Sequence, residues 1–334
     1  MVKIGNIELP EFPLLLAPME DVSDPPFRRL CKMHGADLMY SEFISSEGLI
    51  RDAMKSRKKL DIFDYERPVG IQIFGGDEEA MAMSARIVET VEPDLVDINF
   101  GCPVKKVVCK GAGAGVLKDI DMMVKLTKAV VSSTHLPVTV KTRLGWDSQN
   151  INIDEVAERL QDTGIKALTI HARTRAQMYK GEADWTHISR IKNNPNIEIP
   201  IFGNGDIDSP EKALEYKQKF DCDGIMIGRA AIGYPWIFNE IKHFFETGEH
   251  LPAPTINDRL TAVRQHAEWS AEWKGERLGL IEMRQHYSNY FRGVPHFKEF
   301  RKKFLEIFTL EEMNHLIEET KVFYQQTLEN INQS

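Results

Sequence analysis

The sequence has few cysteines and no long apolar run. It contains four cysteines in 334 residues, none spaced as C-x-x-C and none accompanied by a histidine cluster, which argues against a structural zinc site and a disulfide framework. No apolar segment approaches the roughly 20 residues that cross a bilayer, and the acid-bearing N-terminus does not have the pattern of a signal peptide. These absences predict a cytoplasmic protein with reduced thiols, without a membrane segment and without a metal site.

An overall positive charge is also missing, because the net charge at pH 7 is −8. Phosphate contacts supply much of the affinity of nucleic-acid-binding proteins, so this balance argues mildly against that class. The basic residues are unevenly distributed, however. Residues 284–303 contain six of them against one acid, and Lys105, Lys106 and Lys110 closely follow Cys102. Two interpretations stay open for the basic residues at 284–303: they belong to a solvated helix face, or they form part of a groove that binds a polyanion.

Short apolar segments alternate with segments of helical periodicity through the first 247 residues. The apolar segments lack a polar face, which is typical of strands buried on both sides of a parallel sheet. Eight such strands, each followed by a helix, predict an α/β protein with the (β/α)8 fold, the TIM barrel. An open doubly wound sheet is the alternative, but no G-x-G-x-x-G follows the first strand. The eight predicted strands are residues 14–17, 38–41, 69–73, 95–99, 138–142, 167–171, 201–204 and 224–227.

The pattern changes at residues 248–255, which contain two prolines and a glycine and are typical of a linker. No strand pattern recurs after this segment, and the rest of the chain contains four segments of helical periodicity. We therefore predict two domains, a TIM-barrel catalytic domain at residues 1–247 and an all-α helical bundle at residues 255–334.

Polar side chains gather at the predicted carboxyl ends of the strands, where barrel enzymes carry their chemistry. The glycine-containing turns at Gly205 and Gly228 are typical of phosphate sites that use backbone N–H groups, and Arg229 adds a positive charge there. The ligand is therefore expected to be a phosphorylated cofactor, and Lys141 suits the negative charge of reduced FMN. The other polar groups at the strand ends are Glu20, Gln72, Asn99, Cys102, Arg143, His171, Arg173, Asn204 and Asp206.

The chain is organised around residues 95–103, which predict a buried strand that runs into a tight turn carrying Cys102. A positioned thiol can serve as a nucleophile, a metal ligand, half of a disulfide or a general acid. The missing ligand partners argue against the metal role, and the irregular cysteine spacing argues against the disulfide.

A glycine-rich stretch, residues 110–116, follows shortly after this turn. Such a stretch predicts a flexible loop, which here would fold over the site. A nucleotide-binding turn is the alternative, but a glycine run without further motif residues is a weak signal for one.

Six segments carry recognisable motifs, and they are residues 17–19, 97–106, 140–146, 170–175, 203–207 and 226–231. Together, in this order, they resemble the tRNA-dihydrouridine synthase (Dus) family of bacterial type and span most of the predicted barrel. Two of these segments, residues 99–103, which read N-x-G-C-P, and residues 170–175, are together the most specific for this family. The chain departs from the family at Glu20 and Asp21, where members commonly have a small residue and a glycine.

This resemblance implies an enzyme that uses FMN and NADPH to reduce uridine to 5,6-dihydrouridine in tRNA, with Cys102 as the proton donor. We expect tRNA and NADPH as partners, and a monomer, since no obligate protein partner is evident. The implied FMN-binding residues are Pro18, Met19, Glu20, Gln72, Lys141, His171, Asn204, Gly205, Asp206, Gly228 and Arg229. The expected RNA contacts are Asn99, Arg143 and Arg173 near the target base, and Lys105, Lys106, Arg301, Lys302 and Lys303 along a basic groove.

The reduction of a uracil ring needs a hydride at C6 and a proton at C5 from the opposite face. A cysteine with a pKa of about 8.5 is protonated at neutral pH, whereas a carboxylic acid is normally ionised, so Cys102 suits the acid role. His171 is the alternative acid. Two other functions stay open: an FMN-dependent dehydrogenase of a free dihydropyrimidine such as dihydroorotate, and a barrel that binds RNA without catalysis.

Overall fold

The chain begins with a β-hairpin that closes one end of a barrel. The computed structural model describes residues 1–332, and its first strands, β1 (Val2–Ile4) and β2 (Ile7–Leu9), pair in antiparallel fashion. Gly5 lies between them with a φ of +61°, a conformation that glycine adopts without strain. The apolar side of the hairpin clusters with Leu95, at the start of a barrel strand, so the opposite end of the barrel is left open for a site.

Parallel strands form the barrel that the sequence predicts. The remaining strands are β3 (Leu14–Leu16), β4 (Met39–Tyr40), β5 (Ile44–Ser45), β6 (Val69–Phe74), β7 (Leu95–Asn99), β8 (Val138–Arg143), β9 (Ala167–His171), β10 (Ile201–Asn204) and β11 (Gly224–Ile227). Eight of them follow the order β3–β11–β10–β9–β8–β7–β6–β4, and the short β5 pairs with β6. A parallel bridge between Leu15 and Leu38 closes the circle next to β4. The predicted TIM barrel is therefore confirmed.

Helices surround the barrel and then form the C-terminal region. The α-helices within residues 1–332 are α1 (Pro25–Met33), α2 (Ser46–Ile50), α3 (Met54–Lys58), α4 (Glu78–Glu89), α5 (Lys105–Val108), α6 (Ile120–Val131), α7 (Ile153–Gln161), α8 (Thr186–Lys192), α9 (Pro210–Phe220), α10 (Ile237–Thr247), α11 (Ile256–Lys274), α12 (Glu276–Glu282), α13 (Arg284–Tyr290), α14 (Lys298–Leu305) and α15 (Leu310–Asn332). None of these helices is long and apolar enough to cross a membrane.

The C-terminal helices have a hydrophobic cluster of their own, to which the barrel contributes Leu30 from α1. Polar contacts fix the docking: Nζ of Lys274 lies 2.7 Å from Oδ2 of Asp24, and Nε1 of Trp273 donates to Oδ2 of Asp61 at 2.7 Å. The helices therefore lie against α1, the loop before it and the loop that follows α3. A domain boundary at residues 248–255 is consistent with these contacts and stays a prediction.

Candidate active site

A cavity of about 610 Å³ opens at the carboxyl ends of the barrel strands. Its wall combines the ends of β7, β8, β9, β10 and β11 with the loops that follow them and with the loop after β3. The structure thus brings together most of the side chains predicted from the strand ends. The predicted site residues that line the cavity are Pro18, Met19, Glu20, Asn99, Cys102, Lys141, Arg143, His171, Asn204, Gly205, Asp206, Gly228 and Arg229.

Asn99, at the end of β7, holds the turn that carries Cys102. The Oδ1 atom of Asn99 accepts hydrogen bonds from the backbone N–H groups of Gly101, at 2.9 Å, and Cys102, at 2.8 Å. Its Nδ2 group donates to Oε1 of Gln72 at 2.7 Å. An asparagine side chain that accepts nearby backbone N–H groups fixes a turn, so Asn99 is a positioning residue for Cys102.

A buried chain of hydrogen bonds continues from Gln72 into the barrel. Gln72 donates to Oδ2 of Asp97 at 2.5 Å, and Thr139 donates to Oδ1 of Asp97 at 2.5 Å. Burial raises the pKa of Asp97 to about 6, although these two hydrogen bonds oppose the shift. Gln72 is fully buried and is not part of the cavity wall. The structure therefore places this predicted FMN ligand behind Asn99, and its contact with FMN stays a prediction.

Arg143 donates hydrogen bonds to both the turn that carries Cys102 and the loop that follows β9. Its Nε group donates to the carbonyl oxygen of Gly101 at 2.7 Å. Its Nη1 group donates to the carbonyl oxygens of Thr174, at 3.1 Å, and Met178, at 2.9 Å. Burial lowers the pKa of Arg143 to about 10, which still leaves the guanidinium charged at neutral pH. Arg143 is therefore a fixed positive charge in the wall that carries the thiol.

The thiol of Cys102 is buried and keeps its proton at neutral pH. The residue is 7% exposed, and burial raises the pKa of the thiol, although a backbone hydrogen bond at Val104 and the charge of Arg143 act in the opposite direction. A cysteine whose pKa is raised is a thiol rather than a thiolate at pH 7. A proton donor needs this neutral state, whereas a nucleophile needs the thiolate.

The glycine-rich stretch contributes a buried 3-10 helix, Gly113–Lys118, that packs against the cysteine turn. The N–H group of Ala114 donates to the carbonyl oxygen of Cys102 at 3.0 Å. Gly113 has a φ of +55°, and a Cβ atom there would lie 3.0 Å from the same oxygen, so the close approach requires glycine. The prediction of a flexible loop folding over the site is wrong for this helix, because its residues are packed behind Cys102.

Lys141, two residues before the end of β8, and His171, the last residue of β9, lie in a strongly positive environment. Lys141 donates from Nζ to Oδ1 of Asn204 at 3.0 Å, and burial, together with the charge of Arg143, lowers its pKa to about 7. Burial and the neighbouring cations, first among them Arg143, lower the pKa of His171 well below its usual value. His171 is therefore neutral at pH 7, which disfavours the alternative that it is the proton donor.

Arg173, an expected substrate contact, is 2% exposed and lies behind the cavity wall. Its Nη2 group donates to both carboxylate oxygens of Asp206, at 2.8 and 2.6 Å, and to the carbonyl oxygen of Gly181 at 2.6 Å. Its Nη1 group lies 3.5 Å from Nε2 of His171. The guanidinium is thus engaged within the protein, and a contact between Arg173 and the substrate stays a prediction.

We expect Asp206→Asn to lower the free energy of unfolding by about 2 kcal/mol at pH 7, because Arg173 would keep a buried charge without its partner. The Asp206 side chain is 17% exposed, which moderates the cost. Burial raises the pKa of Asp206, but the hydrogen bonds from Arg173 and from the N–H group of Ala183, together with the charge of Arg173, outweigh burial and hold that pKa below its usual value. This stability is therefore present at neutral pH and is lost as the pH falls through the lowered pKa. Urea unfolding measures the difference in the free energy of unfolding between the wild type and Asp206→Asn. A difference that is as large at pH 3 as at pH 7 would contradict this explanation.

The cavity wall also contains residues for which the sequence gives no strand-end signal. The ring centre of Tyr179 lies 5.7 Å from Cζ of Arg143 and 5.1 Å from Cζ of Arg229. Phe43 and Arg292 also line the cavity. Arg292 belongs to the basic cluster at residues 284–303, but its sequence position does not reveal that it reaches the barrel mouth.

Glu20 and Asp21, where the chain departs from the family pattern, lie at this mouth. The carboxylate of Glu20 lies 2.7 Å from Nζ of Lys59, which also lies 3.5 Å from Glu42, so the two carboxylates share one lysine. Asp21 has a φ of +58°, which is the left-handed conformation that glycine adopts most readily. The carbonyl oxygen of Asp21 accepts a hydrogen bond from Gln285 of α13, which helps to join the C-terminal helices to the rim of the site.

The turns after β10 and β11 offer backbone groups to an anion. The N–H groups of Gly205, Asp206, Gly228 and Arg229 donate no hydrogen bond within residues 1–332. The Arg229 side chain beside them is 58% exposed. Backbone N–H groups next to an arginine are a suitable phosphate site, so these residues fit the phosphate of a nucleotide cofactor such as FMN.

The remaining expected RNA contacts lie outside this cavity. They are all exposed, and they comprise Lys105 and Lys106 on α5 and Arg301, Lys302 and Lys303 on α14. Lys106 lines a second cavity. Lys302 and Lys303 pair with exposed glutamates of the C-terminal helices, and such surface pairs are weak. A groove that joins these residues to the site stays a prediction.

Solved structures of other proteins share this fold. The chain is similar to 2-naphthoyl-CoA reductase in complex with 2-naphthoyl-CoA, with a TM-score of 0.57 at 12% identity over 72% of this chain and 51% of that chain. It is also similar to morphinone reductase in complex with tetrahydroNAD, with a TM-score of 0.51 at 12% identity over 77% of this chain and 92% of that chain. These similarities concern the fold alone. The fold and the site define an enzyme built on a TIM barrel.

The chain belongs to the dihydrouridine synthase (Dus) family, whose model matches residues 15–329. It is 41% identical over 304 residues to tRNA-dihydrouridine synthase B of Pseudomonas aeruginosa, a match that covers 91% of each chain. It is also 40% identical over 302 residues to a probable tRNA-dihydrouridine synthase of Rickettsia conorii, and this match covers 90% of each chain. The family resemblance that the motifs carry is confirmed.

Proposed function

We propose that this chain uses FMN and NADPH to reduce uridine to 5,6-dihydrouridine in tRNA. The observation that carries the proposal is that a buried, neutral thiol and an anion-binding rim line one cavity at the barrel mouth. The names of the relatives support tRNA as the substrate. The enzyme acts in the cytoplasm, where tRNA is found, and as a monomer, since its own C-terminal region supplies Arg292 to the cavity wall.

The cavity residues would hold FMN at two places. The free N–H groups of the turns at Gly205 and Gly228, with Arg229, would bind its phosphate. Lys141 would lie beside the part of the ring that becomes negative on reduction. FMN, when bound, supplies the hydride that reaches C6 of the uracil ring.

Cys102 supplies the proton that C5 of the uracil ring requires. The S–H bond breaks as the C5–H bond forms, and its electron pair stays on the sulfur as a thiolate, which takes a proton from water before the next turnover. Asn99 and Arg143 hold the turn, so the thiol keeps a fixed position. The positive charge of Arg143 stabilises the thiolate as it develops.

The target base must leave its stack to reach the cavity. Tyr179 and Arg292 lie in the cavity wall, and an aromatic ring and a cation suit an unstacked base and its phosphate. The C-terminal region, residues 255–334, serves as the RNA-binding domain, and the exposed basic residues of α14 extend the contact along the RNA.

The proposal is tested with purified protein that is loaded with FMN and incubated anaerobically with NADPH and an unmodified tRNA transcript. Digestion and mass spectrometry are expected to detect dihydrouridine, with heat-denatured protein as the control. A parallel reaction with dihydroorotate and a dye acceptor examines the free-pyrimidine alternative. Turnover of dihydroorotate with no reaction on tRNA would overturn the proposal, and so would a protein that binds tRNA but takes up no flavin.

A further inference from the structure

A second cavity adjoins the catalytic one and has no part in the reaction described above. Its volume is about 520 Å³, within the range of about 300–1,000 Å³ that is typical of ligand pockets. The two cavities share Glu20, Phe43, Cys102 and Val104 in their walls. The other walls come from α2, α3, α5 and the end of β6. A ligand that fills both cavities therefore passes directly over the cysteine turn.

Lysines outnumber acids in the wall of the second cavity by four to three. The charged residues that line it are Lys55, Lys59, Lys106, Lys110, Glu20, Asp21 and Glu47. Nζ of Lys59 lies 2.7 Å from Glu20 and 3.5 Å from the buried Glu42, and Glu47 lies 3.6 Å from Arg51. Asp21 forms no ion pair within residues 1–326. The other three lysines of the wall are exposed and form no ion pair with the side chains that the structure describes, those of residues 1–326. Unpaired ammonium groups at the edge of a cavity suit phosphate.

A buried hydroxyl in the same wall has no partner. Ser46 is 1% exposed, and its Oγ atom makes no hydrogen bond within the part of the chain that the structure describes. A Cβ atom at Gly75, also in the wall, would lie 2.2 Å from that oxygen, so the hydroxyl occupies the space that the missing side chain of glycine leaves. Buried polar groups normally have a partner. The oxygen is shielded from solvent in this conformation, so a ligand in the cavity would become its partner once the Ser46 side chain turns toward the cavity.

An aromatic face lies beside these polar groups. Phe43 and Phe74 both line the cavity, and their rings form an edge-to-face pair with centres 5.4 Å apart. Bases of any identity stack on aromatic rings. The aromatic face, the hydroxyl and the unpaired ammonium groups together match the base, the sugar and the phosphate of one nucleotide.

We propose that this cavity is a subsite for the nucleotide next to the target uridine in the RNA chain. The inference rests on the proposed function, because it requires the target base to occupy the catalytic cavity. Since the two cavities meet at Glu20, Phe43, Cys102 and Val104, adjacent nucleotides of one strand reach both. The subsite gives the enzyme a preference for a polynucleotide over a free pyrimidine and holds the unstacked base near the thiol.

The test measures the affinity of FMN-loaded protein for an unmodified tRNA transcript over a series of salt concentrations. The double variant Lys55→Ala/Lys110→Ala is expected to bind about tenfold more weakly, and the slope of log affinity against log salt should become less steep by about 1.4, or about 0.7 for each lost phosphate contact. Ser46→Ala is expected to bind about threefold more weakly with unchanged thermal stability, since its hydroxyl loses no protein partner. Lys125→Ala/Lys128→Ala is the matched control, because both lysines are exposed on α6 and line neither cavity.

The outcomes separate this inference from the function on which it rests. If the wild type forms dihydrouridine but the variants keep its affinity and salt slope, the subsite is overturned and the proposed function stands. If the variants keep tRNA affinity but NADPH reduces their flavin more slowly, the cavity belongs to the reductant and the subsite is again overturned. If the wild type forms no dihydrouridine in tRNA, the proposed function itself fails.

Discussion

Replacing Cys102 with alanine is expected to slow dihydrouridine formation about 100- to 10,000-fold at pH 7, the range that a general acid contributes. FMN binding and the reduction of FMN by NADPH should persist, because the thiol belongs to the turn held by Asn99 and not to the phosphate-binding turns. A single-turnover experiment measures the effect: protein carrying reduced FMN is mixed with a tRNA transcript, and dihydrouridine is quantified over time.

The matched control for this experiment is Cys109→Ala, since Cys109 is an exposed free thiol that lines neither cavity. Its rate should equal that of the wild type. Because burial raises the pKa of Cys102, the wild-type rate should stay constant through neutral pH and fall only as the pH rises through that raised pKa. A Cys102→Ala enzyme within about threefold of the wild-type rate would contradict the assigned role.

Arg143 and Arg173 show how far the sequence predicts this site. Arg143 follows Lys141 by two residues, and Arg173 follows His171 by two residues, near the carboxyl ends of the predicted strands. The spacing therefore predicts the same role for both arginines, a contact near the target base. The structure separates them: Arg143 lines the cavity, whereas Arg173 is buried against Asp206. The two arginines differ because Asp206, in the turn after β10, pairs with Arg173. The spacing of residues along the chain does not reveal which arginine pairs with that carboxylate.

The barrel and most of its rim follow from short-range features of the chain. Apolar strands at regular intervals predict parallel pairing, and the carboxyl ends of such strands meet at one end of a barrel, which is sufficient to bring Cys102 and His171 together. Arg292 is different, because it reaches the cavity only where the C-terminal helices dock on the barrel through contacts such as Lys274 with Asp24. That docking joins residues far apart in the sequence, and no local pattern encodes it.

Replacing Lys141 with methionine is expected to lower the midpoint potential of bound FMN by about 30–60 mV. A hydrogen bond to a charged group contributes about 1.5–3 kcal/mol, and about 30 mV corresponds to 1.4 kcal/mol for a two-electron couple. Reduced FMN carries the negative charge that the ammonium group stabilises, so its binding should weaken about 10- to 150-fold. Methionine preserves the length and the apolar stem of the side chain, and Asn204 keeps its hydrogen bond to the carbonyl oxygen of Met226.

The effect of Lys141 on the midpoint potential of bound FMN should decrease as the pH rises. Burial lowers the pKa of its ammonium group to about 7, so the charge is present below that pH and is lost above it. An anion bound beside the lysine raises this pKa. The difference in potential between the wild type and Lys141→Met should therefore be full at pH 6 and decline as the pH rises above 7. Lys128→Met, at an exposed position on α6, is the control and should match the wild type throughout. Equal potentials for the wild type and Lys141→Met at pH 6 would mean that the lysine does not stabilise the reduced ring.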